Sequence, residues 1–360
     1  MKNKNVFQNK KSKEKQRDSY ASKTYFDNIR SKYIIQRIFD NVPKNKLFKI
    51  ILINKKLKQR IDIDKKDYVE NCFIVIEIVP AQNIYGKFIN IINEKDKKYF
   101  NIYFNDKNEK IERTFLYKNE KVQNIKIKIN PNMINFTRLF EKCKCVESIK
   151  IQYLKQRNYY EMNKMFNDNI SLKKINFDND CEINIKYMVY MFANCPKLET
   201  INIDKFNTEK VVNMSYAFQG CISLKELNFS NFNTKNVINF HGMFQDCSSL
   251  REIDLSSFDA KNARFISYMF YGCSSLKKIN LSNFNTLNIE KMNKCFCKCS
   301  SLEELDITNF EISNNTDKEY IFDECSDDFI NKMKSKYKFD WLTIIRKINY
   351  FDINLNNLKI

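Results

Sequence analysis

Twelve cysteines and a single histidine make up the reactive inventory of this 360-residue chain. The stretch "CFCKC" sets Cys295, Cys297 and Cys299 close enough to suggest a metal. A zinc site needs four well-placed ligands, and the one histidine, His241, stands elsewhere, in "NFHGMF". No metal and no cofactor are therefore expected. A Ser/His or Cys/His pair would have to use His241, whose equivalents in related stretches are Ser or Asn, which fits an exposed turn. Neither G-x-x-x-x-G-K nor G-x-G-x-x-G occurs, and the only glycines are Gly86, Gly220, Gly242 and Gly272, so phosphate-cradling loops are missing. Asp and Glu are plentiful, but they follow a repeat rather than clustering. No enzyme is expected.

The elements that would hold any site are set by that repeat. Phe140, Phe166, Phe192, Phe218, Phe244, Phe270, Phe296 and Phe322 are 26 residues apart at every step. A period of this size marks a solenoid or array. Cys143, Asn169, Cys195, Cys221, Cys247, Cys273, Cys299 and Cys325 keep the same step, as do Val146, Leu172, Leu198, Leu224, Leu250, Leu276 and Leu302. Further apolar files run through Ile149, Ile151, Phe206 and Met162 and their equivalents. One repeat cannot bury its own apolar face, so neighbours must cover it. Within a unit, "SLKELNFSNF" alternates around Leu227 and Phe229, which predicts a short half-buried strand. "SNFNT" is turn chemistry. "NVINFHGMFQDC" spaces Val237, Phe240, Met243 and Phe244 at three and four, which predicts a short helical turn. Each coil is thus expected to run strand, turn, short helix, turn.

Four Gly and four Pro leave little room for long linkers, and 43% hydrophobic content supports a sizeable core. No apolar run reaches the roughly 18 residues of a membrane helix. The start, "MKNKNVFQNKKSKEKQRDSY", has no apolar core of a secretory signal. A cytoplasmic place, with the nucleus as the alternative, is the expectation, and no membrane partner. Reduced, free thiols follow from that compartment. The net charge is +19, and residues 1–70 carry much of it, with 20 Lys and Arg against 8 Asp and Glu. Nucleic acid would bind, if anywhere, on residues 1–66, which lack the aromatic pattern of base stacking. It is not the expected partner.

Outside the repeats, residues 1–22 read as a disordered basic arm. Residues 23–70 read as a helical hairpin, with Ile34, Ile35, Ile38, Phe39 and Val42 on one face, a break at Pro43, and the periodicity resumed at Leu47. Residues 71–135 are β-rich ("YFNIYF", "RTFLY", "VQNIKIKIN") and could seal the first coil. Residues 136–326 are the solenoid, and 327–360 a C-terminal cap. There Ser326 serves as N-cap for a helix with Phe329, Met333 and Tyr337 on one side.

The motif "MFxxCSSLKxINLSNFNT", over roughly residues 136–326, resembles the BspA-like leucine-rich repeat family. The resemblance implies an α/β right-handed solenoid of short strands and short helices, between an N-terminal helical hairpin with a β-rich cap and a C-terminal helical cap. It also implies a protein-interaction surface, and in many members a cell-surface or adhesion role. A second resemblance lies at residues 31–61: "IIQRIFDNVPKNKLFKIILINKKLKQRI" is similar to an F-box. It implies a substrate receptor of a cullin-type ubiquitin ligase, with Ile34, Ile35, Ile38, Phe39, Pro43 and Leu47 against a Skp-type adaptor. The usual leading Leu-Pro is absent from it.

If the Ile/Leu and Leu/Phe files face the core, the residues between them face outward on the concave side. That candidate protein-binding face comprises Asn176, Asn202, Asp204, Glu226, Asn228, Glu252, Asp254, Asn280, Glu304 and Asp306. It is acidic and amide-rich, and the expected partner is a basic or polar protein segment. Strand-end turn chemistry is the plainer use of the same Asn and Ser residues.

Overall fold

The computed structural model describes residues 73–337, apart from 131–132, 134, 153–158, 179–180, 182, 311–312 and 314. The basic arm and the hairpin, with the F-box-like residues Ile34, Ile35, Ile38, Phe39, Pro43 and Leu47, lie outside the described residues, as does the chain after Tyr337.

The β-rich segment contributes β1 (Ile74–Pro80), β2 (Gly86–Lys87), β3 (Phe100–Phe104), β4 (Phe115–Leu116) and β5 (Ile125–Ile129). The repeats contribute β6 (Val146–Gln152), β7 (Tyr160–Glu161), β8 (Lys174–Phe177), β9 (Ile183–Tyr187), β10 (Thr200–Ile201), β11 (Phe206–Asn207), β12 (Glu252–Asp254), β13 (Lys278–Asn280) and β14 (Glu304–Asp306). Helix α1 (Asp327–Lys336) follows. One six-stranded sheet has the order β10-β8-β6-β1-β5-β3. From β6 onward its strands are parallel, as a coiled chain requires, with Ile149 beside Ile175. On the other side β1 runs antiparallel to β6, setting Ile76 against Ile151 and Ile78 against Ile149. The segment therefore occupies the free edge of the first coil with matched isoleucines, which answers the exposed-edge problem of an open stack. Asn90 adds side-chain hydrogen bonds to the Arg138 and Glu141 carbonyls.

The far end is finished by α1. The Ser326 hydroxyl accepts from the Phe329 amide, Asp327 and Asp328 occupy the first turn, and Phe329, Ile330 and Met333 are buried. The Phe329 ring meets Phe322 edge-on, and the Tyr337 hydroxyl accepts from the Ile307 amide.

The core is a solenoid core of files. The phenylalanine file from Phe140 to Phe322 is buried throughout. Its rings stack coil on coil, from Phe140–Phe166 at 5.7 Å to Phe296–Phe322 at 5.3 Å. The leucine file from Leu172 to Leu302 is buried beside it. The cysteine file has a second reason for its residue type. Cys195 donates its thiol to the Phe166 carbonyl one coil back at 3.0 Å, and Cys221, Cys247, Cys273, Cys299 and Cys325 repeat the contact at 3.1–3.2 Å. Asn169 replaces the thiol in the second coil and donates to the Phe140 and Phe166 carbonyls, both at 2.7 Å. A small buried donor is what the position needs, since a buried carbonyl without a partner is costly. No disulfide joins the described cysteines.

Two expectations about the coil change. The segment read as a short helix is a chain of tight turns, and none of the described residues from 136 to 326 is helical. Ala217 N bonds Met214 O, Gln219 N bonds Tyr216 O and Cys221 N bonds Phe218 O, each closing in three residues. Tyr216 and Gly220 both have left-handed φ, near 57° and 68°, which stops a helix from propagating. Between turns, amides bond to the next coil instead, as Phe192 N does to Ala217 O and Phe218 N to Met243 O.

The second change is at the rung of Leu227 and Phe229, expected as a strand. It carries no assigned strand, and the sheet of β12, β13 and β14 is separate from that of β6, β8 and β10. The Phe229 ring is larger than its file neighbours Ile203 and Leu255. It sits edge-on to Phe218, Phe232, Phe244 and Phe258 at 4.9–5.9 Å.

Candidate interaction surfaces

The outward residues of the strand rungs do come together on one face. Glu252, Lys278 and Glu304 are register partners in β12, β13 and β14, and so are Asp254, Asn280 and Asp306. Asn176 pairs in register with Lys150. Glu226 and Asn228 are exposed on the rung without a strand.

Much of this polarity is used locally. The side-chain oxygens of Asn202, Asn228, Asp254, Asn280 and Asp306 each accept from the backbone amide two residues on, at Asp204, Ser230, Ser256, Ser282 and Thr308, at 2.9–3.1 Å. These bonds close the turn after each rung. The Ser256 amide and hydroxyl hold the Asp254 carboxyl below its ordinary pKa, and the Thr308 hydroxyl and amide do the same for Asp306. Both therefore stay charged in mildly acid solution. A flanking file the sequence reading left out, Glu147, Lys173, Glu199, Lys225, Arg251, Lys277 and Glu303, carries both signs of charge. It pairs within itself, through Lys173–Glu147 at 3.1 Å and Lys277–Glu303 at 3.0 Å, and within the face Lys278–Glu304 lies at 3.2 Å. Of the face's carboxylates, Glu304 therefore has a cation beside it.

On the turn side stands a file that sequence reading missed. Arg138, Lys164, Tyr190, Tyr216, Gly242, Tyr268, Lys294 and Tyr320 recur at 26 residues, and all have positive φ. Tyr190 and Tyr216 stack at 4.6 Å, and His241 lies between Tyr216 and Tyr268 at 5.0 and 5.5 Å. Lys164 sits over Tyr190 at 5.3 Å, and Lys294 over both Tyr268 and Tyr320 at 5.7 Å. A Cβ on Gly242 would lie 2.6 Å from the Tyr216 ring, so only glycine leaves that ring its place. Burial, aided by the Lys291 charge, lowers the His241 pKa. The signal was present in the period of the tyrosines, but nothing in a tyrosine announces a left-handed backbone.

Among the described residues the cysteines are buried or half-buried and offer no reactive thiolate. Burial pushes the Cys195 and Cys325 thiols up to about 12 and Cys297 to about 11, away from the reactive thiolate. Cys297, Asp323 and Glu324 bring three ligand atoms within 4.8 Å of one another, but Glu324 is held by Lys298 at 3.6 Å. No helix among the described residues is long and apolar enough to cross a membrane.

Residues 94–215 match the family model described as BspA type leucine rich repeat region (6 copies). The coils are BspA-like leucine-rich repeats. Residues 186–280 and 254–353 of this BspA-like chain also match a family described as Mycoplasma protein of unknown function, DUF285. The BspA-type match extends upstream into the antiparallel sheet, whereas the 26-residue coils begin near Phe136. No curated protein and no solved structure matches the chain.

Proposed function

We propose that this BspA-like repeat protein is a non-enzymatic scaffold that docks another protein along the outward files of its coils. The observation that carries the reading is the set of carboxylates Glu226, Glu252, Asp254, Glu304 and half-buried Asp306, on three of four neighbouring rungs with Lys278 and Asn280 on the fourth, held at whole-coil spacing by files of inter-coil hydrogen bonds. A rigid, regularly spaced rank of charge suits an extended or flat partner of basic or polar character and requires no pocket. The buried, weakly acidic thiols support the non-catalytic half of the reading.

The test places a photo-crosslinking residue at position 226 or 252 of the full chain, with position 287, an exposed site in the loop after the Phe284 turn, as the control. Discrete adducts from 226 that vanish in E252K/E304K, and from 252 that vanish in E226K/E304K, would support docking on the strand face. Equal adducts from all three positions, or none at all, would count against it.

A further inference from the structure

Each coil contains two left-handed residues four apart, and the two files they form differ in composition. One runs Asp168, Asn194, Gly220, Asp246, Gly272 through the central coils, the residue types that tolerate positive φ, with Lys142, Lys298 and Glu324 only at its ends. The other runs Arg138, Lys164, Tyr190, Tyr216, Tyr268, Lys294, Tyr320, with Gly242 as its one glycine and Arg138 paired to Glu141 at 3.6 Å. Aromatic and long basic side chains are disfavoured there. In the central coils the turn itself gives no reason for Tyr190, Tyr216 and Tyr268, since the neighbouring file makes equivalent turns there with Asn, Asp and Gly. Backbone strain that the fold does not need concentrates at functional positions.

The charges point the same way. On the strand face, Lys173, Lys277 and Lys278 each have a carboxylate within 3.2 Å. Among the described residues neither Lys164 nor Lys294 has a carboxylate at ion-pair distance; their ammonium groups lie over tyrosine rings instead. Because Tyr190 and Tyr216 stack on each other, their facing sides are closed to an inserted base, which disfavours a single-stranded nucleic acid. Ring edges, hydroxyls and uncompensated ammonium groups remain, all half-exposed.

We propose that this ridge is a docking surface for an extended acidic segment of a partner protein, lying along the solenoid axis with its carboxylates on Lys164 and Lys294 and its backbone across the tyrosine edges. The proposal rests on the scaffold reading above and adds a second surface of opposite charge preference. Lys164 and Lys294 are five coils apart, about 24 Å at strand spacing, which about eight extended residues cover.

The test uses the full chain and a fluorescent oligo-glutamate of about eight residues, followed by anisotropy at low and moderate salt. Binding should weaken by about tenfold or more in K164E/K294E, the scale of a lost charge pair. It should change less than about twofold in K225E/K261E, which alters the net charge equally on other faces. Y190N/Y216N/Y268N should weaken binding several-fold while leaving the unfolding midpoint close to that of the parent, because Asn accepts the left-handed turn. Equal losses in both charge variants would mean long-range attraction to a basic protein and would overturn the proposal. So would an oligothymidylate of equal charge that binds more tightly and responds to the same ridge variants. Cross-linking on the strand face does not depend on these residues, so it reports on the scaffold reading whichever way the ridge behaves.

Discussion

Tyr216 and Gly220 sit in one coil, each the third residue of a turn closed by a three-residue hydrogen bond, with φ of 57° and 68°. Along the stack, the Gly220 file keeps mostly to residues that such a backbone prefers, and the Tyr216 file does not. Where residue type follows backbone preference, geometry alone accounts for the file. Where it opposes that preference, some other contact must compensate: here ring stacking, two cations over the rings and, in the proposal above, a partner. The contrast separates a file that makes the coil from a file that the coil displays.

The sharpest check sets both against the interior. Leu250→Ala, in a fully buried file, should cost about 2–5 kcal/mol in denaturant melts, the range for a cavity in a packed core. A smaller loss than the turn variants give would mean that the outer files hold the fold. Next comes Gly272→Ala. Its φ of 72° and a Cβ only 2.3 Å from the Asp246 Oδ1 should cost about 1–3 kcal/mol. Little or no change would show that the first file is not chosen by its backbone. Tyr216→Asn should then stay within about 1 kcal/mol of the parent, as relief of the left-handed turn offsets the lost ring stacking. A loss as large as that of Leu250→Ala would make the tyrosines ordinary core.

The smallest effect concerns His241. Its folded pKa is lowered by burial and by Lys291, so the unfolded chain binds the proton more readily. Stability should fall as the pH drops through the ordinary histidine range and below it, and should recover as the pH rises. H241N should flatten that part of the profile. An unchanged slope would place the titration elsewhere.

The repeat and its buried files were legible because a side chain that must stack on its own equivalent has to recur in phase. Phe140 through Phe322 and Leu172 through Leu302 show it plainly. The turn segment was not legible. Apolar spacing at Val237, Phe240, Met243 and Phe244 arises as readily from successive three-residue turns as from a helix, and only the backbone dihedrals separate them. The rung at Phe229 reads as a strand by alternation, as does the rung at Phe177, yet only the latter pairs as one. On the strand face, polarity was readable, but the same Asn or Asp serves equally as a displayed group or as a turn acceptor. Asn228 and Asp254 turned out to accept from the amide two residues on. The cysteine file was explained by size alone, and its thiol-to-carbonyl bond across coils needed coordinates.

Those inter-coil bonds also bear on how the molecule would behave under force. Tension along the solenoid axis loads successive coil interfaces in series, so the chain yields at its weakest junction first rather than all at once. Each coil that peels away frees its 26 residues, about 90 Å of extended polypeptide, while its neighbours keep their thiol, amide and ring contacts. Stretched in an optical trap, such a stack would lengthen in equal strides and shorten by the same strides on release, acting as an extensible tether with a built-in step.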